Sequence, residues 1–151
     1  METFSRETII SPWYVTGLVD GDGTFTFSRS GNNMALYFGL KLTAQDKKVL
    51  ELIQEFFGGI GRIYHVKARS NSSSNTKTAT YFRVVRIDDL LLIIDHFDNY
   101  PLNSKKNEQF KIWKEMVMLK YNNFRRIPHT ELEELAKKLS MLSPRNQPWH
   151  E

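Results

Sequence analysis

Val15-Thr16-Gly17-Leu18-Val19-Asp20-Gly21-Asp22-Gly23 is the stretch on which the reading of this 151-residue chain turns. Gly17 and Gly21 are four apart, so on a helix they share one face. Each costs roughly 1 kcal/mol against alanine inside a helix, and close approach of another backbone is the usual compensation. Two carboxylates, Asp20 and Asp22, sit in the same run. Two readings are open at this point. The helix packs its glycine face against a second copy and presents an acid for chemistry, or Gly23 is an ordinary helix cap beside a solvated pair of acids.

Outward from this run, Ser11-Pro12-Trp13 supplies a capping serine and a proline at the first helical position. A helix is predicted from there to Asp20 or Gly21. Residues 24–30 alternate polar and apolar and predict a strand, and Gly31-Asn32-Asn33 is a turn signal. Residues 36–42 alternate again, with Leu36, Phe38, Leu40 and Leu42 toward the core and Tyr37, Gly39 and Lys41 away from it. Asp46 is the predicted cap of a second helix carrying Val49, Leu50, Leu52, Ile53, Phe56 and Phe57 at helical spacing, stopped by Gly58-Gly59. A second hairpin joins strands at 61–67 and 78–86 across a polar tip at 70–76. Three helices follow: one capped at Asp88 over 90–97, one over about 107–120, and one opened by the capping box Thr130-Glu131-Leu132-Glu133 and running to about Leu142. Residues 1–10 read as a lead-in and 143–151 as an irregular tail. The whole is one α+β domain, with a mostly antiparallel sheet covered by helices on one face.

Composition narrows the function classes. The chain has no cysteine, so disulfides and thiolate metal sites are excluded and a reducing compartment is favoured. No apolar run approaches the roughly 20 residues that span a bilayer, and the N-terminus lacks a secretory signal pattern. The net charge of +4 is modest, but its distribution is not. Asp and Glu are absent from residues 23–45 and 61–87, the two predicted hairpins, which hold Arg29, Lys41, Arg62, Lys67, Arg69, Lys77, Arg83 and Arg86. Such a face suits phosphates and base edges; a merely solvated basic face is the alternative. Asp22 lies at the entry to this acid-free region, and a carboxylate facing a polyanion calls for a cation between them. Mg²⁺, held by one or two protein oxygens plus phosphate, is the natural candidate.

The motif at residues 15–23 resembles the signature of the LAGLIDADG homing endonucleases. The likeness extends through Ser11-Pro12-Trp13, Asp46-Lys47, Ile93-Ile94-Asp95-His96-Phe97, Tyr100-Pro101-Leu102 and Lys105-Lys106. The αββαββα order is that family's core, here with additional C-terminal helices. The resemblance implies that the motif helices of two copies pack together, with Trp13, Gly17, Leu18 and Gly21 at the interface. It implies that Asp22 holds a divalent metal, Mg²⁺ by default with Mn²⁺ or Ca²⁺ able to replace it in binding, and that the Gly21 carbonyl is a second ligand. Asp20 is then structural. The implied reaction is metal-dependent hydrolysis of both DNA strands, leaving 3′ overhangs. A catalytic lysine is implied at Lys106, with Lys105 the adjacent alternative. A water-orienting glutamine of some relatives has no clear match here, and Gln45 is the candidate.

Specificity is expected from outward hairpin side chains: Thr24, Thr26, Ser28, Ser30, Tyr37, Lys41, Arg62, Tyr64, Tyr81 and Arg83, with Asn32 and Asn33 at the first tip. Lys67, Arg69 and Lys77 flank the second tip and suit phosphates. Trp13, Phe25, Phe27, Phe56 and Phe57 read as core or interface, and His65 and His96, lacking ligand spacing, as structural. One motif supplies half an active site, so the expected assembly is a homodimer on a near-palindromic double-stranded DNA site. The flanks at Trp13 and at residues 93–102 look most like the first half of two-motif monomeric relatives, so an excised half is the other origin. The expected setting is organellar or bacterial. Two rivals share the fold: a maturase that binds intron RNA, and a non-catalytic DNA-binding protein.

Overall fold

The computed structural model describes residues 10–67 and 78–142. Helix α1 (Pro12–Asp22) opens as its sequence predicts, with Ser11 Oγ accepting from the Trp13 amide at 3.1 Å. It runs a residue or two further than its pattern indicates, so that Asp22 closes the helix and Gly23 begins β1 (Gly23–Ser30). The junction has no space for a side chain. A Cβ on Gly23 would run into the Val19 side chain and lie 2.9 Å from the Val19 carbonyl, so glycine is what lets the strand leave the helix at this angle.

β1 pairs antiparallel with β2 (Asn33–Thr43), through a turn with Gly31 at φ +64°. Asn33, expected in that turn, is instead the first strand residue and pairs with Ser30. A positive φ at the first of two central residues suits the tight hairpin turn that matches strand twist. A 3₁₀ turn (Ala44–Asp46) leads to α2 (Lys47–Phe56). β3 (Arg62–Val66) and β4 (Ala79–Val84) form the second hairpin, and β4 docks on β2, giving the antiparallel order β1-β2-β4-β3. Then come α3 (Ile87–Asn99), α4 (Lys106–Asn122) and α5 (His129–Leu142). The α+β class and the order of elements are those read from the sequence.

Three caps differ from expectation. Asp46 is at the α2 N-cap, but its carboxylate accepts from Thr43 Oγ1 at 3.3 Å and makes no bond to the helix. Asp88 lies inside the first turn of α3, whose N-cap is Arg86; there it suits the helix dipole and pairs with Arg86 at 3.5 Å. The capping box at residues 130–133 does not form. Thr130 is already helical, and Glu133 turns to Arg29 on β1 in a two-point ion pair of 2.6 and 2.8 Å. A bidentate arginine contact outcompetes a local backbone bond.

The core lies between one sheet face and the helices. Phe25, Leu36, Phe38, Leu40, Phe82 and Val84 point into it and meet Val15, Val19, Leu50, Ile53, Phe97, Phe110 and Trp113. Trp113 is fully buried, and its indole N–H donates to the Thr26 carbonyl at 3.1 Å, tying α4 to β1. Leu42 is only partly buried, since β2 runs past the edge of the helical layer there. With one face committed, register sends every alternate side chain to the other.

Candidate functional site: an acid at the rim of a cationic sheet

Asp20 and Asp22 stand two residues apart and meet opposite environments. The Asp20 carboxylate is fully engaged. Oδ2 accepts from the Asn103 amide at 2.9 Å, and Oδ1 accepts from the Ser104 amide at 3.0 Å and the Ser104 hydroxyl at 2.7 Å. Partial burial works to raise its pKa, but those hydrogen bonds and the Lys106 charge hold it below the usual carboxylate value. Asp20 thus ties the end of α1 to the start of α4. Asp22 is exposed and has no hydrogen bond or ion pair with any described residue. It stands at the C-terminal end of α1, where unpaired backbone carbonyls, Gly21's among them, carry partial negative charge.

An open groove runs from this point along the sheet. Gly21, Asp22, Gly23, Thr24, Thr26, Tyr37, Lys41, Tyr81, Arg83, Lys106 and Gln109 are among its lining residues. Lys106 Nζ donates to the Gly23 carbonyl at 2.6 Å. Burial pushes its pKa down, against the pull of Asp22 and Asp20, which favour the cation. Lys105, next to it, is exposed at the α4 N-cap and does not line the groove. Gln45 also lies outside it, exposed on the 3₁₀ turn beyond β2. Gln109 lines it unforeseen, one helical turn after Lys106, with its amide nitrogen donating to the Leu142 carbonyl at 2.9 Å. The i, i+3 spacing was the available signal.

The open sheet face carries the residues that strand parity sends there. Thr24, Thr26, Ser28 and Ser30 on β1, Asn33, Tyr37 and Lys41 on β2, Tyr81 and Arg83 on β4, and Arg62 and Tyr64 on β3 share that side by register. Asn32 is in the β1–β2 turn, and Lys67 is exposed just past β3. Arg69 and Lys77 lie outside the described residues. Two of the hairpin cations do not belong to this face: Arg29 points to the helical side and is neutralised by Glu133, and Arg86, past β4, pairs with Asp88.

The centre of the face is a lattice of rings and cations. Tyr64 and Tyr81 stack at 5.4 Å, Lys41 Nζ lies 5.7 Å from the Tyr81 ring centre, and the Arg83 guanidinium lies 4.3 Å from that of Tyr37. Gly39 is opposite Arg83 in the register. Arg83 Nε is buried without a hydrogen-bond partner among the described residues. Arg62 and Arg83 are direct cross-strand partners. Like charges so placed repel, and no carboxylate on this face offsets them. The face has the charge and the donor groups to take an anionic, base-bearing ligand.

The outer face of α1 is the third part of the site. A Cβ at Gly17 or Gly21 would meet nothing within 4 Å, so packing inside the chain does not account for either glycine. Trp13 and Tyr14 are exposed beside them and Leu18 is half-buried, while Val15, Thr16 and Val19 face the core. Thr16 Oγ1 donates to the Tyr100 carbonyl at 2.8 Å. Its single proton is then spent, so His96 Nε2, 3.0 Å away, is the donor to Thr16. Burial holds the His96 pKa down to about 4, against a smaller opposing pull from Asp95. His96 is thus a neutral structural group under α1. His65 likewise bonds within the protein, to Thr80 at 3.1 Å.

The family model described as LAGLIDADG endonuclease matches residues 15–117. "Probable intron-encoded endonuclease 3" of Neurospora crassa is 32% identical over 127 residues, 80% of this chain and 22% of the relative. The chain spans about a quarter of the length of this and two other curated relatives that it matches. Among solved structures, the LAGLIDADG meganuclease I-AabMI bound to uncleaved DNA superposes with a TM-score of 0.66 at 29% identity, covering 88% of this chain and 43% of that one. The archaeal intron-encoded homing endonuclease I-Vdi141I complexed with DNA shares the fold with a TM-score of 0.72 at 22% identity, and there the match covers 86% of its chain and 90% of this one.

The two acids are separable by stability. Asp20→Asn is expected to destabilise the fold by about 1 kcal/mol near neutral pH, a charge-assisted network discounted for its partial exposure. Because the folded pKa of Asp20 lies below its unfolded value, that contribution is present above the ordinary carboxylate range and lost as pH falls through the folded pKa. Urea unfolding of wild type and variant across that range checks it. A gap that persists unchanged in acid contradicts the assignment.

Proposed function

The chain belongs to the LAGLIDADG endonuclease family, and on that premise we propose that it is half of a sequence-specific, divalent-metal-dependent DNA endonuclease whose other half is a second copy. One observation carries this reading: an unpartnered carboxylate, Asp22, sits at the rim of a carboxylate-free cationic face, with Lys106 in the same groove. A maturase or a passive DNA-binding protein would have no use for a free acid there.

The open sheet face receives the duplex. Arg62 and Arg83 are suited to guanine edges, Asn32 and Asn33 to adenine, and Ser and Thr to either. Lys41 and Lys67 are suited to phosphates. Asp22, with the Gly21 carbonyl, holds the cation. The donor set is all oxygen, and no group of three or more His, Cys, Asp or Glu capable of holding a metal occurs among the described residues. That combination suits a hard ion such as Mg²⁺, which keeps part of its water and takes the rest of its shell from phosphate. When bound, it supplies Lewis-acid polarisation of the phosphoryl group and a more acidic water. Lys106, anchored on the Gly23 carbonyl, keeps its cation beside the same phosphodiester, where developing negative charge is stabilised best in a partly desolvated groove. Hydrolysis of both strands yields 3′ overhangs.

The empty space over Gly17 and Gly21 supports a homodimer. Two α1 helices crossing there would bring both Asp22 carboxylates to one twofold axis. Gly17→Leu blocks that approach without an internal clash. Light scattering at micromolar concentration should give twice 17.7 kDa for wild type and 17.7 kDa for the variant; a monomeric wild type contradicts the homodimer.

For the activity, cleaved DNA is selected from a randomised duplex pool in Mg²⁺, and the selected site is then offered to Asp22→Asn. The variant should bind the site, melt like wild type and lose cleavage by about 10³-fold or more, in the range of an essential electrostatic group. Equal cutting by the variant, or no cut sequence with wild type, overturns the reading.

A further inference from the structure

A third run without carboxylates lies outside the hairpins. Between Glu115 and Glu131 there is no Asp or Glu, while Lys120, Arg125, Arg126 and His129 all occur. The run covers the second half of α4 and its connection to α5. Residues 121–126 are exposed, and Phe124 is 72% exposed. The Arg125 guanidinium lies 5.6 Å from the Phe124 ring centre. Neither the Arg125 nor the Arg126 guanidinium meets a carboxylate among the described residues. Nearby cations are already spent: Arg29 on Glu133, and Lys120 on the Met34 carbonyl.

Those two spent contacts locate the loop. Arg29 and Met34 are cross-strand partners, one pair behind the last pair of the β1–β2 hairpin. Lys120 near the end of α4 grips one, and Glu133 near the start of α5 grips the other. The loop between them is therefore clasped to the hairpin tip. At its other end α4 begins with Lys106, in the groove beside Asp22. The 17 residues of α4 separate its two ends by about 24 Å, which is about seven base pairs at 3.4 Å each.

We propose that residues 124–126 form a clamp on the phosphate backbone of duplex DNA, about seven base pairs outward from the cleaved position. The clamp rests on the DNA-cleaving reading above. Arg125 and Arg126 pair with consecutive phosphates, and the Phe124 ring holds the Arg125 fork in place. The contact carries no base information, so it adds affinity without specificity. Two exposed rings, Tyr121 and Phe124, are too little apolar surface to hold a membrane. The clasp sets the loop beside the tip of the first hairpin, on the helical side of the sheet whose other side faces the duplex.

The test is a salt titration of the full chain by fluorescence anisotropy. The probe is a labelled duplex of mixed sequence, long enough to cover both half-sites and their flanks, in the absence of divalent metal. Arg125→Gln with Arg126→Gln should lower the slope of log affinity against log salt by about 3.6, two phosphates from each of two protomers at about 0.9 per phosphate. It should weaken every sequence by the same factor. Arg125→Lys with Arg126→Lys, which keeps the charge, should restore the slope. Arg62→Gln with Arg83→Gln serves as the sheet-face control. If the control weakens binding and the loop pair leaves slope and affinity unchanged, the clamp is wrong and the DNA reading stands. If wild type binds no duplex, the DNA reading falls and the clamp with it. A loss confined to a structured RNA hairpin of equal charge overturns the clamp in favour of an RNA partner.

Discussion

The hydrogen bonds that the Asp20 carboxylate accepts from Asn103 and Ser104 organise the site. They fix the end of α1 against the start of α4, and Asp22 and Lys106 each stand two residues beyond those points. Both oxygens of Asp20 are engaged in structure, while Asp22, two residues on, makes no hydrogen bond with a described residue. Gly23 completes the device by letting β1 leave without pushing Val19 aside, so the carboxylate at 22 stays at the mouth of the groove. In the proposed reading this is half of a cation site: one carboxylate and some helix-end carbonyls, which substrate and a second helix would complete.

Helix α4 is the ruler of the molecule. Lys106 at one end reaches the strand that begins at Gly23, Trp113 in the middle bonds the Thr26 carbonyl, and Lys120 at the other end reaches Met34. These contacts, spaced along one helix, hold the first hairpin straight along the axis from groove to tip. The cost of the arrangement is electrostatic. Arg62 faces Arg83 across two strands with only tyrosine rings to soften the repulsion. A surface that keeps such a pair without an acid is poised for an anion, and the polyanion relieves the strain on binding.

Much of this was legible in the sequence. Alternation in 24–30 and 36–42 gave the first hairpin with its faces correctly assigned, because strand parity is set by covalent geometry. The acid-free hairpin windows anticipated the cationic face for the same reason, since parity and charge are both one-dimensional properties. The structural role of Asp20 was also readable through the resemblance to a known motif, and its bonds to Asn103 and Ser104 agree with it. The errors fall where tertiary partners compete for a side chain. Glu133 abandoned its capping box for Arg29, and Asp88 sat inside its helix rather than before it, because a cap is worth about 1 kcal/mol and a better partner displaces it. Gln45 and Lys105 are near the groove in sequence and outside it in space, while Gln109 enters it through helix phase. The acid-free run from 116 to 130 was visible in the sequence, but its placement at the hairpin tip depends on two long-range contacts that no local pattern reveals.

The central claim is that the two acids divide the work, Asp20 holding the fold and Asp22 the metal. Carbon-detected NMR of the side-chain carboxylates, with Asp20→Asn and Asp22→Asn assigning the signals, follows both during Mg²⁺ titration of the DNA-bound protein. The account predicts that the Asp22 resonance moves with Mg²⁺ while that of Asp20 stays fixed. Movement of Asp20, or no movement of Asp22 at saturating Mg²⁺, contradicts it.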